Sequence, residues 1–374
     1  MAMSEQQVIQ RTRPPSNSNT PFFETIIIGG GQAGLSIGYG LAKNKRSFLI
    51  LDANKRIGDA WRNRWDSLRL FTPAYFDGLD GMSFPGKQHR FISKDQMADF
   101  LEMYAKQFKL PIQTETKVDR LYKHGDHFIV VAGDKTFEAN NVVVAMSNFQ
   151  HPRIPDFAKD IDPSIVQLNT KNYKNPSQLK KGKVLVVGLG NSGAEIALDV
   201  VKDHPTFLSG KEVGHVPFRI ETVIARYVLI HLVRFVGHTI LNTSTRMGRK
   251  LRPKMLKSGG PLVRTKPKDL TNAGVERVSR VVGEKNGLPL LEDGRILEVE
   301  NIIWCTGFRP GFSWIELPVL DEREEPFHER GIVGKERGLY FVGLHFLYAM
   351  TSSTIPGVKR DARYIVKQII NNRA

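Results

Sequence analysis

Residues 183–198 read KVLVVGLGNSGAEIAL, a hydrophobic strand that breaks into glycines and resumes as a helix. Gly188, Gly190 and Gly193 hold the G-x-G-x-x-G spacing. That spacing meets three needs: a tight turn, a backbone that can approach a pyrophosphate, and a helix packed close to its strand. An anion then rests at the helix N-terminus, where unpaired N–H groups and the helix dipole favour it. Residues 25–41, TIIIGGGQAGLSIGYGL, build the same unit a second time with Gly29, Gly31 and Gly34.

Reading outward from each turn separates the two. After the first, SFLILD supplies the next strand and Asp52 ends it, about twenty residues on, where an acid accepts ribose hydroxyls. After the second, the strand is expected at TFLSG and ends in Ser209 and Lys211 with no acid. An acid there would repel a 2′-phosphate, whereas a hydroxyl and a cation accept one. The second dinucleotide is therefore expected to be NADPH, read by Ser209 and Lys211, with Arg219 as a competing cation.

Two such sites imply one nucleotide held as working cofactor and another that delivers hydride to it, which points to resident FAD and visiting NADPH. The fold class expected is α/β, with two Rossmann-like dinucleotide-binding domains and the NADP domain inserted in the FAD domain. GRILEVENIIWCTGFRP and GLYFVGLHF read as strands returning to the FAD side. The boundaries are then residues 21–155 and 297–374 for FAD and 156–296 for NADP. SSTIPGVKRDARYIVKQIINN reads as a closing helix. Either it is purely structural, or its N-terminal dipole stabilises negative charge on a reduced flavin.

Composition sets the limits. A chain of 374 residues, 41% hydrophobic, can fill two cored domains. Residues 1–20 are polar, contain two prolines and carry no signal-peptide core, so they read as a disordered tail on a cytoplasmic protein. The single cysteine, Cys305, excludes an internal disulfide and any multi-cysteine metal site. No apolar run reaches the roughly 20 residues that span a bilayer.

The net charge of +16 is concentrated: residues 219–268 hold twelve Lys and Arg against one acid, Glu221, a net of +11. Within them VIARYVLIHLVRFVGHTIL, residues 223–241, places Arg226, His231, Arg234 and His238 on one stripe of a helix. TRMGRKLRPKMLK follows. The segment suits an interfacial membrane helix, a lid over an apolar substrate route, or a buried helix with a solvated basic face. The preferred expectation is a helix bordering the substrate route with weak peripheral membrane contact. Nucleic acid is disfavoured as a partner, because the basic residues lack interleaved aromatics and a reading motif.

With GGGQAG, IGDAWRNRWDSLRLFTP, GLGNSGAEIA, WCTGFRP and GLYFVGL in hand, the chain resembles the flavin-containing monooxygenases, in a bacterial branch akin to the plant YUCCA-type enzymes. The resemblance runs from about residue 22 to the C-terminus. It implies that Gly29, Gly31, Gly34 and Asp52 hold FAD, with Trp61 and Arg62 beside it. It gives Gly188, Gly190, Asn191, Ser192 and Gly193 to NADPH, and makes Thr306 and Gly307 the turn linking the two domains. The chain departs from the family fingerprint before the second turn. There Asn169 replaces a histidine, Pro163 and Ile165 replace a phenylalanine and a glycine, and Tyr173 alone persists. Met146 and Ser147 replace a Thr-Gly pair, and Phe71 stands where animal-type enzymes have asparagine.

The resemblance implies an NADPH-dependent monooxygenase. Hydride passes to FAD, O2 is activated as a flavin hydroperoxide, and one oxygen atom goes to a small apolar substrate. No catalytic side chain is assigned, in keeping with the scattered His89, His151 and His345. The alternatives are an NADPH oxidase or reductase with the same cofactors, and a membrane-surface protein with a structural flavin.

Overall fold

The structure, a computed structural model, describes residues 20–258 and 260–371. Apart from Thr20, the expected polar tail lies outside the described residues. The first sheet is built from β1 (Phe22–Ile28), β2 (Phe48–Leu51), β3 (Ile112–Gln113), β4 (Arg120–His124), β5 (His127–Ala132) and β6 (Lys135–Val144). They lie in the order β3-β2-β1-β6-β5-β4. Helices α1 (Gln32–Lys43) and α2 (Lys94–Gln107) belong to this unit. The last four residues of β1, Thr25–Ile28, are all buried, as expected of a parallel strand covered on both faces.

The second sheet takes β7 (Val166–Asn169), β8 (Val184–Val187), β9 (Thr206–Ser209), β10 (Glu276–Val278) and β11 (Asn301–Trp304), with α3 (Asn191–Val200) following β8. Its order is β7-β11-β8-β9-β10, parallel throughout. The first sheet is completed by β12 (Leu339–Phe341), which pairs in parallel with β6 as expected. A C-terminal helix, α6 (Ile355–Asn371), closes the chain.

One boundary is corrected. Residues 294–310 were expected on the FAD side, yet β11 sits between β7 and β8 in the second sheet. The physical reason is that NIIW is fully buried, with its one polar side chain satisfied, and a strand buried on both faces fits the middle of a parallel sheet. Asn301 fixes it there by accepting from the Lys180 N–H at 2.8 Å and donating to the Lys180 carbonyl at 2.9 Å. The crossing falls later, where Phe308–Arg309 pairs antiparallel with His151–Pro152.

Between β9 and β10 the chain makes a long excursion, closed at its base by a bridge between His215 and Leu262. It carries helix α4 (residues 223–240) and helix α5 (Arg246–Ser258) onto the first unit. In α4 a central α-helical turn, Ile230–Phe235, lies between two widened π turns, Ala225–Leu229 and Val236–Ile240. Such turns are rare and frequent at functional sites.

Candidate functional site: two glycine cradles and a helical strap

The two glycine turns are built alike. Gly29 (φ +109°) and Gly188 (φ +118°) adopt the left-handed backbone that the turn requires. A Cβ on Gly34 would lie 1.9 Å from the Gly29 carbonyl oxygen, and one on Gly193 would lie 1.8 Å from that of Gly188. These third glycines let each helix press onto its own turn. By contrast, a Cβ on Gly31 or Gly190 meets nothing within 4 Å. Each middle glycine thus opens onto unfilled space.

That space lies at a helix end with free capacity for an anion. Neither α1 nor α3 has a side-chain cap at its N-terminus or an acid in its first turn. The unpaired N–H groups of both helices therefore await an acceptor. A pyrophosphate fits both cradles on charge and on shape.

Asp52 braces the first cradle. Its buried carboxylate accepts from the Gly30 N–H at 2.5 Å and from the backbone and side chain of Asn54 at 2.7 and 2.8 Å. A carboxylate accepts about four such bonds, so capacity remains for a ribose hydroxyl. Trp61 lies against the first cradle: its indole N–H donates to Gln32, the first residue of α1, at 3.2 Å. Arg62, one residue on, is held by other partners. Its guanidinium is engaged by Asp59, Asp99 and Glu102 and by the Ile57 carbonyl, which fixes it against α2. Charge pairing within the fold turns it into a brace for the short helix Asp59–Arg62.

Around the second cradle the side chains divide in the same way. Asn191 donates to the Pro261 carbonyl at 3.0 Å and accepts from the Val263 N–H at 2.9 Å. It therefore ties the returning end of the excursion to the glycine turn. Ser192 is half-buried beside it. Ser209 is fully buried, and its hydroxyl donates to the Ser279 carbonyl at 2.9 Å and accepts from the Val281 N–H at 3.0 Å. Those bonds remove it from any nucleotide, which corrects the expectation that it reads a 2′-phosphate. Lys211 stays exposed. Arg219 pairs with Asp269 at 2.5 Å. Sequence reading missed a second cation there: Arg277, on the neighbouring strand β10, donates to the Gly210 carbonyl at 3.2 Å. Only strand pairing brings it to the end of β9.

Thr306 and Gly307 hold the crossing between the sheets. The Thr306 hydroxyl donates to the Arg153 carbonyl, and the Arg153 N–H donates to the Gly307 carbonyl at 2.8 Å. The lone Cys305 is buried, and burial pushes its thiol well above the ordinary range. Among the described residues no cluster could hold a metal.

The strap lies over the first unit. Arg226 and Arg234 of the α4 stripe turn inward, onto the hairpin of strands Arg69–Pro73 and Phe91–Ser93, while His231 stays exposed at its edge. The Arg226 guanidinium lies 5.6 Å from the Phe91 ring and that of Arg234 4.9 Å from Phe76. His231 stacks on Tyr75 at 5.2 Å. His238 Nδ1 lies 3.1 Å from the Thr351 hydroxyl, and burial, with Arg360 and Arg234 nearby, pushes this imidazole down to about 4. Tyr75 donates to the Arg226 carbonyl at 2.7 Å and Arg360 to that of His238 at 2.6 Å. A guanidinium over an aromatic face is attracted by the ring quadrupole, which holds Arg226 and Arg234 on this side of the helix. His89 joins the same cluster through Tyr227, its ring centroid 4.2 Å away.

Below the strap lies a buried acid that the sequence did not single out. Asp77 is fully buried, accepts from the Thr72 hydroxyl at 2.5 Å and leaves its other oxygen without a partner among the described residues. Burial pushes its carboxyl up to about 7, against the opposing pull of the Thr72 hydrogen bond and of Lys359. The folded state favours the protonated form. That stability is complete below the ordinary carboxyl range and is lost as pH climbs through 7. Wild-type protein should therefore lose on the order of 2–4 kcal/mol, relative to Asp77→Asn, between about pH 4 and pH 8. Melting temperatures of both proteins across that range check it, and parallel profiles would show that Asp77 does not titrate there.

Paired glycine cradles on two sheets, joined by a crossing turn, define an oxidoreductase of the two-dinucleotide class. The chain belongs to the pyridine nucleotide-disulphide oxidoreductase family, whose match spans residues 26–213. It is similar to an uncharacterized CzcO-like oxidoreductase of Geobacillus kaustophilus, 38% identical over 93% of this chain and 99% of the relative. A probable indole-3-pyruvate monooxygenase of Arabidopsis thaliana, YUCCA3, is 28% identical over 92% of this chain and 86% of its own. Among solved structures, a flavin-containing monooxygenase from Stenotrophomonas maltophilia superposes with a TM-score of 0.77 at 26% identity, covering 95% of this chain and all of that one. The monooxygenase resemblance read from the sequence therefore holds. The chain carries one cysteine, Cys305, and so has no cysteine pair of its own.

Proposed function

We propose that the protein is an NADPH-dependent flavoprotein monooxygenase that acts in the cytoplasm on a small apolar organic substrate. The observation that carries this reading is the pair of open, uncapped glycine cradles, one on each sheet. FAD is held by the first, at Gly29, Gly31, Gly34 and Asp52 with Trp61 alongside, and with Thr306 and Gly307 at the crossing between the sheets. NADPH is held by the second, at Gly188, Gly190, Ser192 and Gly193, with Asn191 ordering its rim. Lys211 and Arg277 are the cations at the 2′-phosphate end. Bound FAD supplies the redox chemistry, taking electrons from the nicotinamide and passing them to O2.

The chain itself binds, orients and excludes water. The first turn of α6 contains no acid, so its N-terminal dipole favours negative charge nearby. The strap closes over the loop at Tyr75 and Phe76 and shields that region from solvent, and a dry pocket suppresses side reactions.

One observation favours an NADPH oxidase or reductase as second reading. Asn169, in the histidine position of the family fingerprint, accepts from the backbone N–H groups of Lys171 and Asn172 at 2.9 and 3.2 Å. Its side chain serves its own turn instead of a cofactor. Stopped-flow mixing of the NADPH-reduced holoenzyme with O2 separates the two. A monooxygenase passes through a transient spectrum unlike that of oxidised or reduced flavin and yields little peroxide. Direct return to oxidised flavin, with peroxide matching the NADPH consumed, would replace the first reading by the second.

A further inference from the structure

Nine of the seventeen large hydrophobic side chains exposed among the described residues lie between residues 223 and 256, so exposed apolar surface is concentrated on the strap. Val223, Ile224, Tyr227, Val228, Leu232 and Phe235 of α4 are each between 55% and 70% exposed. The arrangement follows from the inward turn of the cations: with Arg226 and Arg234 held over Phe91 and Phe76, the apolar side chains are left outside. A contiguous apolar surface of this kind marks an interaction face.

Its chemistry identifies the occupant. Helix α5 follows directly, adds Met247 and Leu256 to the exposed apolar set, and presents Arg246, Lys250 and Lys257 to solvent. Residues 219–268 carry a net charge of +11. Exposed apolar side chains flanked by cations are the makeup of a helix lying in the plane of an anionic bilayer. A second copy of the chain is a poor occupant, because a two-fold contact would set the same cationic helix against itself. The patch faces solvent, and Tyr227 at its edge also packs against His89.

We infer that α4 and α5 together form a docking face for an anionic lipid surface, with the α4 side chains inserted at the level of the headgroups and the α5 cations on lipid phosphates. This reading does not depend on the reaction the flavin supports. No helix among the described residues is long and apolar enough to cross a membrane, so attachment is from one side only.

The test is co-sedimentation of the flavin-loaded full chain with phosphatidylcholine vesicles, with and without phosphatidylglycerol. Binding is expected only to the anionic vesicles. It should fade between 0.1 M and 1 M salt, as the screening length falls from about 10 Å to about 3 Å. Arg246→Gln, Lys250→Gln and Lys257→Gln combined should weaken binding about a hundredfold, at about fivefold per cation. Ile224→Ser with Phe235→Ser should weaken it at least about tenfold. All five positions are exposed, and retained flavin absorbance confirms that each variant is folded. No binding to either vesicle, or binding that neither variant weakens, would overturn the inference. So would self-association that Ile224→Ser with Phe235→Ser abolishes while lipid binding is absent, since the face would then belong to a second copy.

Discussion

Gly31→Val should give a folded, colourless protein. The backbone at Gly31 has φ −76° and ψ −174°, an extended conformation that valine favours. Its Cβ would meet no protein atom within 4 Å. The fold should therefore tolerate the change to within about 0.5 kcal/mol. The added side chain, however, would occupy the space where the pyrophosphate approaches the α1 N-terminus. Losing two charge-assisted hydrogen bonds at about 1.5–3 kcal/mol each lowers affinity by roughly 10²–10⁴, enough to purify the protein without FAD. Gly34→Val is the control with the opposite outcome. Its Cβ would sit 1.9 Å from the Gly29 carbonyl oxygen, so the helix must shift and the protein should be destabilised by at least about 1–3 kcal/mol. Circular dichroism and flavin absorbance distinguish the two. Full flavin content in Gly31→Val would remove the first cradle as the FAD site.

Gly190→Val should keep the flavin and lose the reductant. Gly190 has φ −83° and ψ −178° and the same open Cβ direction, so the fold again has no reason to object. The second cradle, not the first, is filled. The protein should be yellow and reducible by dithionite, while its affinity for NADPH falls by about a hundredfold or more. Anaerobic titration with NADPH measures this directly. Unchanged reduction by NADPH would place the nucleotide elsewhere. Equal losses of NADPH and NADH affinity are expected, because the pyrophosphate is common to both.

Much of the architecture was legible in local sequence because it rests on local chemistry. A glycine spacing between a buried strand and a helix encodes turn, close packing and anion approach within a few residues, and both cradles appear where that spacing stands. Asp52 was legible for the same reason, since it follows directly on β2, the element after α1, whereas Trp61 came only from the family resemblance. Arg62 was not legible, because its partners Asp99 and Glu102 are brought to it only when α2 packs. The pairing of β9 with β10 buries Ser209, which the sequence placed at the nucleotide, and delivers Arg277, to which the sequence gave no role.

The sequence by itself determined the doubled dinucleotide unit, the lack of cysteine-pair chemistry and the concentration of positive charge in residues 219–268. Helical periodicity also determined that Arg226, His231, Arg234 and His238 share a side of α4. Only the tertiary structure decided which way that side points. A stripe of cations is equally compatible with water, lipid phosphate or aromatic faces, and these differ by energies that depend on what lies opposite. Tyr75, Phe76 and Phe91 come from a part of the chain more than a hundred residues away. Once the hairpin of strands Arg69–Pro73 and Phe91–Ser93 carries them under the strap, Arg226 and Arg234 turn inward and the apolar side chains are left on the surface.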